Sequence, residues 1–263
     1  PLAMVVALSL TAGVHAALYG AWKDSPHEDF KLVRFVRELA FAAVAGWTLN
    51  EVNRRIGASP SAFVFVLTVF TASRIATEFY KLFVRLEPQD DYRIPTQVHW
   101  LAHVVTGRVL RLTLGVGWLA AIYGLYALMR LFRDDLTSHV TGPAAGVLFG
   151  SCLAVGGAYK DGYIEGFQWH KFFKSPISAA IGGLVVSCHT EQLEFVVLGM
   201  IALERMFNEF FHKIIRPGYA PGKFKGLSPR FPDWVARRKV FLVPYVATWF
   251  VIIWLWVSPL WPA

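Results

Sequence analysis

Gly20-Ala-Trp-Lys-Asp-Ser-Pro-His-Glu-Asp-Phe30 returns, at an offset of 137, as Gly157-Ala-Tyr-Lys-Asp-Gly-Tyr-Ile-Glu-Gly-Phe167. The glycine, alanine, lysine, aspartate, glutamate and phenylalanine stand at the same places in both stretches. The same offset sets Arg34 against Lys171, Phe35 against Phe172, Arg37 against Lys174 and Gly46 against Gly183. At an offset of 131, Arg74-Ile-Ala-Thr-Glu78-Phe79-Tyr80 matches Arg205-Met-Phe-Asn-Glu209-Phe210-Phe211, and Arg85 matches Arg216. At 134, Pro95 and Trp100 match Pro229 and Trp234. Matches in this order predict an internal duplication, with copies over residues 1–135 and 140–263. The change of offset predicts a loop six residues longer between the second and third helices of the first copy.

What lies between these motifs is apolar. Charged residues are 17% of the chain, against about 25% in a soluble domain. Apolar windows fall at about 2–22, 38–53, 61–85, 109–131, 143–159, 176–190, 192–215 and 239–257. A bilayer span needs about 20 apolar residues, with about 17 tolerated. The fold class expected is therefore an all-α polytopic membrane protein. It has about eight transmembrane helices, built from two parallel-topology four-helix repeats in one bundle. The windows 38–53 and 176–190 are short and rely on tilt or snorkelling flanks. No stretch shows the alternation of a membrane β-barrel.

The net charge of +8 is explained by where the cations sit. Twenty of the 26 lysines and arginines follow the first, third, fifth and seventh windows, and four follow the second, fourth and sixth. This bias makes the first set of connections cytoplasmic and both chain ends external. Trp254, Trp256 and Trp261 suit an aromatic belt at the outer interface. Anionic headgroups at the cytoplasmic face are the expected partners of the basic fringe, and nucleic acid is not required. A second copy or a larger membrane complex is a further candidate partner. Because each copy has an even number of spans, the repeat axis should lie along the membrane normal.

The repeated charges are the candidate site residues. Lys23, Asp24 and Glu28, with Lys160, Asp161 and Glu165, stand where the first and fifth helices leave the membrane. Ser25-Pro26-His27-Glu28 also reads as a capping box opening a short interfacial helix. Arg74, Glu78, Arg205 and Glu209 lie deeper, one helical turn apart within each pair. Ionisable residues at membrane depth are costly, so they should face the bundle interior and mark a site. The structural alternative is a set of Arg–Glu pairs that weld each copy together. His99 and His103, near Asp90 and Asp91, have the i,i+4 spacing of a helical metal pair, but the second copy lacks them and no metal is expected. His15, His189 and His212 read as interior or interfacial histidines. Cys152 and Cys188 read as buried thiols. The Gly222-Lys-Phe-Lys-Gly226 loop lacks the Gly-Lys-Ser/Thr ending of a phosphate loop, and no cofactor motif is present.

Three function classes follow. The first is a transporter or channel-like permease for a small anionic solute, lined by Arg74, Glu78, Arg205 and Glu209 between the repeats. The second is a membrane enzyme acting on a lipid or lipid phosphate at the cytoplasmic face, through the two Lys–Asp–Glu triads. The third is a non-catalytic subunit whose small-residue runs Ala40–Gly46 and Ala179–Gly183 allow close helix packing.

Overall fold

The computed structural model describes residues 2–86, 92, 96–100, 103–131, 138–211, 224 and 226–258. The helices are α1 (Leu2–Glu28), α2 (Leu32–Ile56), α3 (Ala62–Phe79), α4 (Arg108–Leu131), α5 (Ser138–Glu165), α6 (Trp169–Ser187), α7 (Leu193–Phe210), the short α8 (Asp233–Arg237) and α9 (Leu242–Val257). Each of the eight apolar windows contributes one long helix. A π-helical turn, Tyr80–Val84, continues α3, and β1 (His99–Trp100) pairs antiparallel with β2 (His103–Val104). Five segments are long and apolar enough to cross a membrane: Leu2–Glu28, Ala62–Val84, Arg108–Leu131, Val140–Lys160 and Asp233–Val257. Helices α2, α6 and α7 carry more charge or less length and fall outside that set.

Helix α1 ends at Glu28, Asp29 turns left-handed at φ 60°, Lys31 is extended, and α2 begins at Leu32. Helix α5 ends at Glu165, Gly166 takes φ 75°, Gln168 is extended, and α6 begins at Trp169. The closing bonds correspond too: the Asp29 N–H donates to Ser25 C=O at 3.2 Å, and the Gly166 N–H to Gly162 C=O at 2.9 Å. Every one of these positions is related to its counterpart by the offset of 137. Helices α3 and α7 both begin and end at an offset of 131, and α4 and α9 begin at an offset of 134.

The structure corrects two of the expectations drawn from the sequence. Helix α1 runs straight through Ser25 and Pro26. The proline stands near the helix end, so its missing N–H costs one bond and no capping box or separate interfacial helix forms. The extra six residues of the first copy are also not in a loop. They lengthen α2 to 25 residues against 19 in α6, and five residues follow each helix before the next begins.

Close helix contact explains the small residues. A Cβ on Gly13 would meet Ala42 Cβ at 2.7 Å and Leu39 Cα at 3.3 Å. A Cβ on Gly150 would meet Ala179 Cβ at 2.8 Å and Pro176 Cα at 2.7 Å. The second set matches the first, member for member, at the offset of 137. Lipid tails are as apolar as leucine, so such backbone approach, and the dispersion contacts it permits, supplies helix association in a bilayer.

The chain divides into two compact units, residues 1–74 with 208–263, and residues 75–207. The first holds α1, α2, most of α3, α8 and α9. Its apolar centre joins Leu18, Tyr19, Trp22 and Tyr245, with Phe35, Phe210 and Trp249 packed against them. The second holds α4, α5, α6, most of α7 and the π-turn. Its centre joins Met129, Ala145, Phe149, Ala179, Leu193, Val197 and Met200. Cys152 and Cys188 are exposed, not buried. Exposed large hydrophobic side chains are numerous on these helices, so an apolar neighbourhood in the sequence does not mark the core.

Candidate functional site

Within unit 2 the repeated charges meet at the end of α3. The π-turn displaces carbonyls from the helical ladder, and each must find a donor. Val98 N–H donates to Leu82 C=O at 3.1 Å. Arg111 Nη2, from the first turn of α4, donates to Phe83 C=O at 3.0 Å and Arg85 C=O at 2.6 Å. Gln97 Nε2 also donates to Arg85 C=O, at 2.7 Å. Arg85, 2% exposed, donates from Nη1 to the Tyr92 hydroxyl at 2.6 Å and from Nη2 to Thr96. Its guanidinium lies 4.1 Å over the Tyr92 ring, a cation–π contact. Two buried guanidinium groups therefore knit the end of α3 to the start of α4.

Beside them, Lys160 Nζ near the end of α5 donates to Glu78 Oε2 at 2.5 Å, and Lys81 Nζ lies 3.7 Å from Glu78 Oε1. The Lys160 side chain is 43% exposed, so this pair is partly open to its surroundings. Tyr159, its neighbour on α5, accepts from the His99 N–H at 3.0 Å and returns its hydroxyl proton to the His99 carbonyl. The His99 and Tyr159 rings stack at 4.9 Å. The ends of α3 and α5 and the start of α4 thus share one place.

Unit 1 has a corresponding region at the end of α1. Glu28, buried, accepts from Arg34 Nη1 at 3.2 Å, and Lys23 Nζ lies 3.5 Å from Asp24 Oδ1. Arg238 sits 4.5 Å over the Trp22 ring, and Trp234 Nε1 donates to Asp29 Oδ1 at 2.6 Å. Phe231 N–H caps the Pro26 carbonyl at 2.9 Å. Arg74 Nη1 donates to Glu38 Oε2 at 3.2 Å. Glu209 is buried at 4% exposure.

The site residues named from the sequence are therefore dispersed. Glu78 and Lys160 come together, Glu28 joins Arg34, and Arg74 joins Glu38. Arg205 is exposed, while its neighbour Glu204 is buried, so Arg205 does not face the interior as expected. The side chains of Asp161 and Glu165 lie outside what is described, as do Asp90, Asp91, His212, Trp261 and most of the Gly222–Gly226 loop. The helical metal pair does not form. His99 and His103 lie in a hairpin ladder, opposite Val104 and Trp100 respectively, so the two imidazoles take opposite faces. At the other end of α2, Arg54 and Arg55 both hold Glu51, at 2.9–3.1 Å. The carboxylate keeps the Arg54 guanidinium above its ordinary range.

Arg85 and Arg111 were not singled out as site residues from the sequence, although the Arg85/Arg216 match was a signal. Fold and charge geometry define an all-helical protein with five segments able to span a membrane and ion pairs gathered at helix ends. Comparison with protein families, curated proteins and solved structures finds no match.

Proposed function

We propose that the chain is two copies of one four-helix unit acting as a permease for a small anionic solute. The coincident helix bounds, turns and glycine contacts at the sequence offsets support the duplication. The observation that carries the function is the Lys160–Glu78 pair. It joins a helix of the first half to a helix of the second, using residues repeated in both. Applied to the other unit, the offsets make Lys23 and Glu209 its twin. A solute carboxylate or phosphate oxygen competes with Glu78 for Lys160 and Lys81, and loss of the ion pair frees α3 from α5. The odd-numbered connections then face the cytoplasm and both ends the outside, with anionic headgroups around the basic fringe.

The test is uptake into liposomes carrying the purified protein, with chloride, sulfate, inorganic phosphate and short carboxylates. At least one anion should enter faster than in empty liposomes, and the Glu78→Gln/Glu209→Gln variant should slow it about tenfold or more. Equal uptake by wild type and variant, or none across the panel, overturns the reading. A second reading has one observation in its favour. Lys160 lies near the end of α5 and is half-exposed, which suits a lipid-phosphate enzyme at the interface. Mass spectrometry of lipids before and after incubation with the protein separates the two, because only an enzyme changes their composition.

A further inference from the structure

His15 is the fourteenth residue of the 27-residue α1 and is 0% exposed. It lies about 20 Å along a helix able to cross a membrane. Its Nδ1 is 2.9 Å from Thr248 Oγ1, and that hydroxyl donates to Tyr245 C=O at 2.7 Å. A threonine hydroxyl has one proton. With it committed to the carbonyl, the oxygen accepts from Nδ1–H, and the neutral imidazole keeps its lone pair on Nε2. Three rings surround the imidazole: Tyr245 at 4.6 Å, Trp249 at 5.5 Å and Phe70 at 5.7 Å.

We propose that His15 is a proton-binding site inside the membrane, taking up a proton at Nε2 and giving it back. The tautomer leaves a basic nitrogen, and aromatic rings stabilise the imidazolium that forms. From α2, packed along α1, come Arg34, held by Glu28, then Arg37, then Glu38, held by Arg74; before α9, Arg238 lies over Trp22. From α9 the titratable neighbour is Tyr245. From α3 comes the Phe70 ring, and the first charge further along that helix, Arg74, is matched by Glu38. From α7 the titratable neighbour is Glu209, buried on the side of Tyr245. On α1 itself the nearest charge is Lys23, beside Asp24. The offsets sharpen the choice. They place Cys152, Arg111, Leu114, Gly115 and Ile201 where unit 1 has His15, Tyr245, Thr248, Trp249 and Phe70, so this constellation belongs to one unit alone. Repeated residues answer a shared constraint, and a buried polar group present once answers a specific one. In the permease reading, on which this last step rests, the proton becomes the coupling ion.

The test is intrinsic tryptophan fluorescence of the protein in lipid nanodiscs from about pH 8.5 to about pH 4.5, bracketing the ordinary histidine range. An imidazolium quenches a neighbouring indole, so emission should fall in one step by roughly one tenth, one tryptophan among the ten in the chain. The step should vanish in Trp249→Phe and in His15→Gln, and persist in His27→Gln. His15→Cys, carrying the residue of the other half, serves if the glutamine variant folds poorly and should also lose the step. A flat wild-type titration, or a step that survives in Trp249→Phe, overturns the proposal. If the step is present but no anion is taken up, the permease reading fails while the proton site stands. If both are present and uptake by His15→Gln keeps its full response to a pH gradient, the coupling role fails.

Discussion

Arg111 shows how much one side chain holds at the π-turn. Its guanidinium is 3% exposed and serves two backbone carbonyls, with no carboxylate paired to it among the described residues. Arg111→Met removes two charged hydrogen bonds. Gln97 remains for Arg85 C=O, whereas Phe83 C=O loses its guanidinium donor. The expected cost is about 2–3 kcal/mol, read as a lower denaturation midpoint in detergent. Lys160→Met removes a half-exposed pair and should cost about 1 kcal/mol or less. Joining Lys160→Glu to Glu78→Lys should recover most of that loss, where a purely local packing role would not. None of this was legible from residue types alone. The sequence marked Glu78 and Lys160 as repeated but could not say that they would meet. Ion-pair partners depend on helix rotation, which a charge pattern with several cations per turn leaves open.

Helix existence was readable because an apolar run of span length has few alternatives once the backbone must satisfy itself. Details at helix ends were less so. Pro26 looked like a helix start because Ser-Pro-His-Glu fits a capping box, yet α1 carries it in its last turn, two residues before Glu28, at the loss of a backbone bond. The hairpin at His99–Val104 carried no signal, since Leu-Ala stands between its strands in place of Asn-Gly. The turn at Asp29 and Gly166 gives an element-scale test. A left-handed backbone costs an L-residue about 1 kcal/mol or more, and Asp29 offsets this by accepting from Phe30 N–H at 2.7 Å and from Trp234. Gly166→Ala, with no such acceptor, should destabilise by about 1 kcal/mol in thermal unfolding. Helix contact gives a stronger one. A Cβ on Gly146 would meet Ala180 Cα at 2.4 Å, a backbone atom that cannot swing aside. Gly146→Val should separate α5 from α6 and lower the yield of monodisperse protein.

At the scale of the whole chain, the halves read from sequence and the compact units are different divisions. Unit 1 takes its first three helices from the first half and α9 from the second. Unit 2 takes α5, α6 and α7 from the second half and α4 from the first. Neither half contains a complete unit. Residues 1–135 and 136–263 expressed apart should be degraded or aggregate, and co-expressed they should yield a stable complex. Offsets in the sequence carry the order of helices, not their grouping, so this exchange of the fourth helix was not visible there. The proposed permease requires that Lys23 and Glu209 pair as Lys160 and Glu78 do. Thiol cross-linking in native membranes tests it most directly, with Cys152 and Cys188 replaced by serine. Glu78→Cys/Lys160→Cys and Lys23→Cys/Glu209→Cys should both be bridged by a short bifunctional thiol reagent. Bridging of the first pair without the second would contradict the equivalence on which the account is built.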